Sequence, residues 1–133
     1  SGAYVDKLFT EASNKRLDEN QPICSVCSAS ICISNQGNVY PCEGWQGYSV
    51  GSILESSLLD IWRSSERVLM LRKLKLGDFP QCVSCDYIRY CSPCLYRNAN
   101  ENSGDFHKVS PYFCKVAELQ KRVVEQEICK RNN

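Results

Sequence analysis

The sequence contains one histidine, one methionine and no basic block, with 16 lysines and arginines against 15 acidic residues. The lone histidine, His107, leaves no imidazole cluster for a metal or acid–base centre and reads as a surface or hydrogen-bonded residue. A net charge of +1 offers no concentrated positive face, so no nucleic-acid partner is expected. No apolar run approaches the ~20 residues that a spanning helix needs, so no membrane partner is expected either. A signal-peptide pattern and an initiator methionine are also missing. Ser1-Gly2-Ala3 looks like a cut point, and the chain is expected to be a piece of something longer.

Cysteine is what the sequence has in excess, with ten in 133 residues. Four of them fall in Cys82-Val-Ser-Cys85-Asp-Tyr-Ile-Arg-Tyr-Cys91-Ser-Pro-Cys94, two Cys-x2-Cys pairs joined by a five-residue spacer. A turn of that length lets two thiolates converge on one ion or on adjacent corners of a cluster. Soft thiolates favour zinc or iron–sulfur over hard, oxygen-seeking cations. A third pair, Cys24/Cys27, lies upstream. Repeated close pairs suit metal knuckles better than a disulfide scaffold, which is the alternative for a cysteine-rich chain. Reduced, ligating cysteines imply a cytoplasmic setting. The length fits one domain, or one domain with a helical extension.

Residues 4–20 have the spacing of a helix, with Tyr4, Val5, Leu8, Phe9 and Ala12 on one face and Lys7, Glu11, Asn14 and Lys15 off it. It either packs on this domain or belongs to a domain upstream. Asn20-Gln21-Pro22 ends it. Ile31 to Cys42 predicts a β-hairpin, with strand character at Ile31, Ile33, Val39 and Tyr40 and a glycine-bearing turn at Asn35 to Asn38. Closure of that hairpin carries Cys42 back towards Cys24 and Cys27. Cys32 reads as a small hydrophobe inside the first strand. Trp45 and Tyr48 would either cover a metal site or add to a small core.

Ser57-Leu-Leu-Asp60 predicts a capped helix start, and a second helix is expected from Glu66 to Leu76, ended by Gly77. Leu58, Ile61 and Trp62, then Val68, Leu71 and Leu74, would face inward. Arg67, Arg72, Lys73 and Lys75 read as a solvated basic face. Leu95 to Ser103 is polar and starts with a helical turn. Ser110-Pro111 begins a last helix running to about Lys130, with Val116, Leu119, Val123 and Ile128 inward. Cys114 lies in its first turn, where the helix dipole favours thiolate, and Cys129 lies near the chain end. The fold expected is a small metal-stapled α+β domain: a β-hairpin, short helices, irregular cysteine-rich loops and a C-terminal helix.

Setting aside Cys32 and Cys129 leaves Cys24, Cys27, Cys42, Cys82, Cys85, Cys91, Cys94 and Cys114, enough for two four-thiolate sites. Two zinc ions and two [4Fe–4S] clusters fit that count equally well.

The cysteine order resembles a known pattern. Nine residues separate Cys27 from Gly37, and four separate Gly37 from Cys42. Cys82-x2-Cys85-x5-Cys91 follows, and Cys114 closes the set. This is similar to the SPASM domain, the C-terminal auxiliary-cluster domain of many radical S-adenosylmethionine enzymes. Gly37-Asn-Val-Tyr-Pro-Cys42, Val50-Gly-Ser-Ile and Ser57-Leu-Leu-Asp-Ile-Trp62 also look like this family, over roughly residues 22 to 116. One departure is that two residues, not three, separate Cys91 from Cys94.

The resemblance implies two [4Fe–4S] clusters. Cys82, Cys85, Cys91 and Cys114 would hold the outer one, auxiliary II. Cys27, Cys42 and Cys94 would hold auxiliary I, with Cys24 as its remaining ligand. It implies that residues 1–21 are a helix or linker from a radical SAM barrel, and 22–133 the auxiliary-cluster domain. The partners implied are that barrel in the same polypeptide, a peptide or protein substrate, and an electron donor such as a flavodoxin or ferredoxin. The implied role is electron transfer and closure of the substrate pocket in a peptide- or protein-modifying enzyme. The Cys-x3-Cys-x2-Cys loop that binds S-adenosylmethionine's cluster is absent, so no catalysis is expected of these residues alone. The rival expectation is a structural, zinc-holding interaction module with no redox role, and zinc could also substitute for iron in an isolated fragment.

Overall fold

A computed structural model describes residues 2–133. They form two compact units: residues 22–75, called the hairpin unit here, and residues 2–21 with 76–133, called the knot unit. As expected, the architecture is a small α+β one.

In the hairpin unit, β1 (Cys32–Ile33), β2 (Asn38–Tyr40) and β3 (Gly51–Ser52) form an antiparallel sheet in that order. Cys32 pairs with Tyr40 and Val39 with Gly51. The expected hairpin is therefore present, and a third strand is added to it. The turn closes through Ser34, whose amide donates to Asn38 O at 2.9 Å and whose hydroxyl accepts from the Asn38 amide. Gly37 sits at φ +86°, a left-handed conformation that favours glycine.

Next come α2 (Leu58–Ser64) and α3 (Glu66–Lys73). Ser57 caps α2 by accepting from the Asp60 amide at 3.1 Å, as its sequence predicts. Ile61 seats on β3 at Gly51, where an added Cβ would stand 3.0 Å from Ile61 Cγ1. Ile61, Val68, Leu71 and Leu74 are buried with Val39 and Val50, but Leu58 is largely exposed. The second helix stops at Lys73, short of the expected Leu76. Its continuation is instead used in a bridge between Lys75 and Pro22, with the Ile23 amide donating to Leu74 O at 3.2 Å. Gly77 consequently lies in a 3-10 turn, Leu76–Asp78, and ends no helix.

The knot unit contains α1 (Gly2–Asn14), α4 (Pro80–Val83), a 3-10 turn at Ile88–Tyr90, α5 (Leu95–Glu101) and α6 (Pro111–Asn132). α1 packs on α6 and on the Ile88–Tyr90 turn. It ends well before the expected residue 20. Arg89 takes up the carbonyls of Ala12 and Lys15, groups that an ended helix leaves without partners.

Val5 and Ala12 are buried as expected, whereas Tyr4 and Phe9 are exposed. In α6 the buried stripe is shifted by one residue from the expectation. Val124 is 0% exposed and Ala117 2%, against 51% for Val123 and 44% for Leu119. Adjacent apolar positions offer rival stripes about 100° apart, and the packed partner chooses between them. Phe79, Ile88, Leu95, Ala99 and Phe106 fill the rest of this core. Among the described residues, no helix is long and apolar enough to cross a membrane.

Candidate metal centre

None of the ten cysteines forms a disulfide, and the two units divide eight candidate ligands between them. In the hairpin unit, Cys27 is fully buried and holds φ +57°, a left-handed conformation unusual for a residue with a Cβ. Such strain is typically retained where a side chain must be aimed. The knuckle is closed by the Cys27 amide donating to Ser30 O at 3.0 Å. Burial raises the Cys27 thiol from its ordinary 9.0 to about 11; Arg72 opposes that shift, and nearby Cys42 and Cys24 add to it. Cys24 and Cys42 thus lie within range of the Cys27 charge.

Trp45 is buried and stacks on Tyr48 with ring centroids 4.9 Å apart. Burial, partly offset by Arg67, raises the Tyr48 hydroxyl, and Cys27 adds to the rise, so this pair flanks the inner thiols. Arg72 corrects one expectation. Its Nε donates to Cys27 O at 2.7 Å, its Nη2 donates to Trp62 O at 2.8 Å, and it lies over the Trp62 ring. It is thus tied to the thiol site and is not part of a solvated face. Cys32 is half-buried in β1.

In the knot unit, α4 presents Cys82, the following turns present Cys85 and Cys91, and the first turn of α6 presents Cys114. Burial raises Cys82 to about 11, with further increments from Cys114 and Cys85. It raises Cys91 to about 11 too, where Cys82, Cys114 and Cys85 add to the rise and Lys15 opposes it. Cys114 is raised by burial and by Cys85. These four thiols are mutual neighbours. The Tyr87 amide donates to Cys85 Sγ at 3.3 Å.

Cys114 is placed by a buried polar bracket in which Ser110 is the expected helix cap and Asn98 is a partner not anticipated from sequence. Asn98 Nδ2 donates to Phe106 O at 3.2 Å, and Asn98 Oδ1 accepts from the Ser110 amide at 3.0 Å. Ser110 caps α6 by accepting from the Phe113 amide and donates to Glu101. α5 and the start of α6 are held together in this way. Cys94 is the N-cap residue of α5 and lines a small cavity with Cys82, Cys91, Cys114, Phe79 and Phe113. Cys129 is exposed, and so is His107, whose ring packs on Phe106.

Lys15 corrects a second expectation. It is half-buried, and its Nζ donates to Ile88 O at 3.1 Å and to Cys91 O. Desolvation lowers its pKa, while the Cys91 charge raises it.

Among the described residues, no three histidine, cysteine or acidic side chains are drawn together as they would be around a single ion. The donor set nonetheless fits a soft metal group: two groups of neighbouring, unbridged thiols, with no imidazole in either and Glu101, near Cys114, engaged by the Ser110 hydroxyl.

These features define a cysteine-rich domain built to hold thiolate-ligated metal. A family model for the SPASM iron–sulfur cluster-binding domain matches residues 24–95, more than half of the 133, and the chain belongs to this family. Comparison with curated proteins and with solved structures returned no match. The matched span contains Cys24 through Cys94 but neither Cys114 nor Lys15. Cys114, outside that span, is a neighbour of Cys82 and Cys85.

Proposed function

We propose that this chain is the auxiliary-cluster module of a radical S-adenosylmethionine enzyme that modifies a peptide or protein. In this reading Cys82, Cys85, Cys91 and Cys114 hold one [4Fe–4S] cluster, and Cys24, Cys27, Cys42 and Cys94 hold the other. The reading is carried by the placing of Cys82, Cys91 and Cys114, which come from both sides of α5, around one small cavity, with Cys85 within range of their charges.

Clusters with four cysteine ligands leave no open iron, so the chemistry they would supply is one-electron transfer. The chain's own residues would do the rest. Cys27 is itself fully buried, and the stacked pair Trp45 and Tyr48 would shield the Cys24, Cys27 and Cys42 set from water. Arg72 and Lys15 place positive charge beside anionic sites. The domain would work with a barrel in the same polypeptide, help close its substrate pocket, and receive electrons from a donor such as a flavodoxin or ferredoxin, all in the cytoplasm.

The test is iron, sulfide and zinc content of strictly anaerobic protein, with an absorption spectrum near ~400 nm. About eight irons per chain supports two [4Fe–4S] clusters. About two zincs and no iron after anaerobic reconstitution overturns the redox reading in favour of a structural zinc module.

A further inference from the structure

The knot unit carries a cation that reaches the backbone of Cys91 from just past the end of a helix outside the family's matched span. Lys15, just past the end of α1, donates from Nζ to Ile88 O and Cys91 O. Arg89 reaches the other way, donating from Nη1 to Ala12 O at 3.4 Å and to Lys15 O. Each side chain therefore holds carbonyls of the segment that carries the other, so the end of α1 and the Ile88–Cys91 segment are clasped from both directions. Neither Lys15 nor Arg89 forms an ion pair with a carboxylate among the described residues. Both cations stand beside a segment that ends in a thiol, and Glu11, which lines the same pocket as Arg89 and Cys91, pairs instead with Lys7 at 3.8 Å. A metal-loaded set of four thiolates carries net negative charge, and the reduction potential of such a site depends on local charge and hydrogen bonding.

We propose that Lys15 is a positioning residue of the outer thiolate site: held on the Cys91 carbonyl, its ammonium fixes the Cys91 segment and stabilises the anionic, metal-loaded form of the Cys82, Cys85, Cys91 and Cys114 set. This rests on the assignment of that set to a cluster. α1 is then part of the site's machinery. A cation beside the Cys91 segment favours the reduced, more negative state, so its removal lowers the potential of this centre and leaves the other one unchanged.

The test uses the full chain, reconstituted anaerobically with iron and sulfide and titrated with dithionite while the reduced clusters are followed by electron paramagnetic resonance. Lys15→Gln keeps a hydrogen-bond donor and drops the charge; Lys15→Arg keeps the charge. The expected result is a tenfold loss in the one-electron reduction equilibrium of one centre in Lys15→Gln, about 59 mV lower. The second centre is unmoved, and Lys15→Arg stays close to wild type. Wild-type potentials in Lys15→Gln overturn the proposal, as does an equal shift in Lys15→Arg, which marks a steric role alone. Lys15→Met, similar in volume, replaces Lys15→Gln if that variant does not fold.

If the wild-type chain takes up no iron, the cluster assignment fails, and cobalt(II) then tests Lys15 separately. Binding at the thiolates, read by the sulfur-to-cobalt absorption, should be about tenfold weaker in Lys15→Gln and near normal in Lys15→Arg. Equal cobalt affinity in all three proteins sinks the proposal.

Discussion

The two units assemble their thiols by opposite means. In the hairpin unit, one chain reversal brings Cys42 to Cys24 and Cys27, and neighbouring strands do the work. In the knot unit, Cys82, Cys85 and Cys91 lie close in sequence, but Cys114 arrives on a helix that must first be fixed by Asn98 and Ser110. The cations differ as well. Arg72 brings a charge that cannot be lost near neutral pH, whereas Lys15 is an ammonium whose proton is loosened by desolvation. A locally built site tolerates the loss of distant contacts. A site closed by tertiary packing does not, because its last thiol moves with the helix that carries it.

The largest break in that comparison should come from the ligands themselves. Cys85→Ala is expected to remove about four irons, one cluster's worth, and to destabilise the loaded protein. Cys129→Ala, at an exposed position, should change neither iron content nor stability. Full iron content in Cys85→Ala would refute the ligand set.

Packing beneath the knot comes next. Phe79 is 1% exposed and lines the cavity shared with Cys82 and Cys91. Phe79→Ala should cost about 3–5 kcal/mol in urea unfolding, with the fluorescence of the hairpin unit's Trp45 and Trp62 reporting how far the loss spreads.

In the hairpin unit, Gly51→Val would press a side chain into Ile61. Overpacking of this kind costs about 1–3 kcal/mol, measurable as a lowered urea midpoint, and Gly51→Ala should cost less. Ser110→Ala removes the α6 cap and a partner of Glu101, for about 1 kcal/mol. If the bracket positions Cys114, this variant should also slow iron uptake at one site only. Equal uptake at both sites would show that α6 is placed by its apolar face alone.

The smallest effect at neutral pH is the proton linkage of the metal-free chain. Cys27, Cys82 and Cys91 titrate near 11 when folded, above the ordinary 9.0. Because their folded pKa values are raised, the unfolded chain loses these protons first as pH increases. The stability they contribute is complete below pH 9 and is lost as pH rises through 11. Urea midpoints of the metal-free protein should be flat from pH 7 to 8.5 and fall beyond that. A midpoint that rises in alkali would reverse the sign of the burial effect.

Much of the fold was legible from local signals. Ser57 and Ser110 cap the helices they precede, and the Gly37 turn closes the hairpin, because caps and turns depend on a few neighbouring residues. β3 was missed, since Gly51–Ser52 has no strand propensity and is a strand only because Val39 pairs with Gly51. The α6 stripe was misplaced by one residue for a similar reason. Arg72 and Lys15 looked like ordinary surface cations, and charge alone does not reveal which backbone carbonyl a long side chain will reach.

The sequence by itself determined the chemistry: the spacing of the cysteines, the soft donors they supply and the family to which they belong, because ligand type and turn length are local properties. Only the tertiary structure decided that Cys114 stands with Cys82, Cys85 and Cys91, and that Lys15 and Arg72 lie against the thiolate segments. Those placements depend on which face of each helix is buried, and that choice is made by packing between segments far apart in the chain.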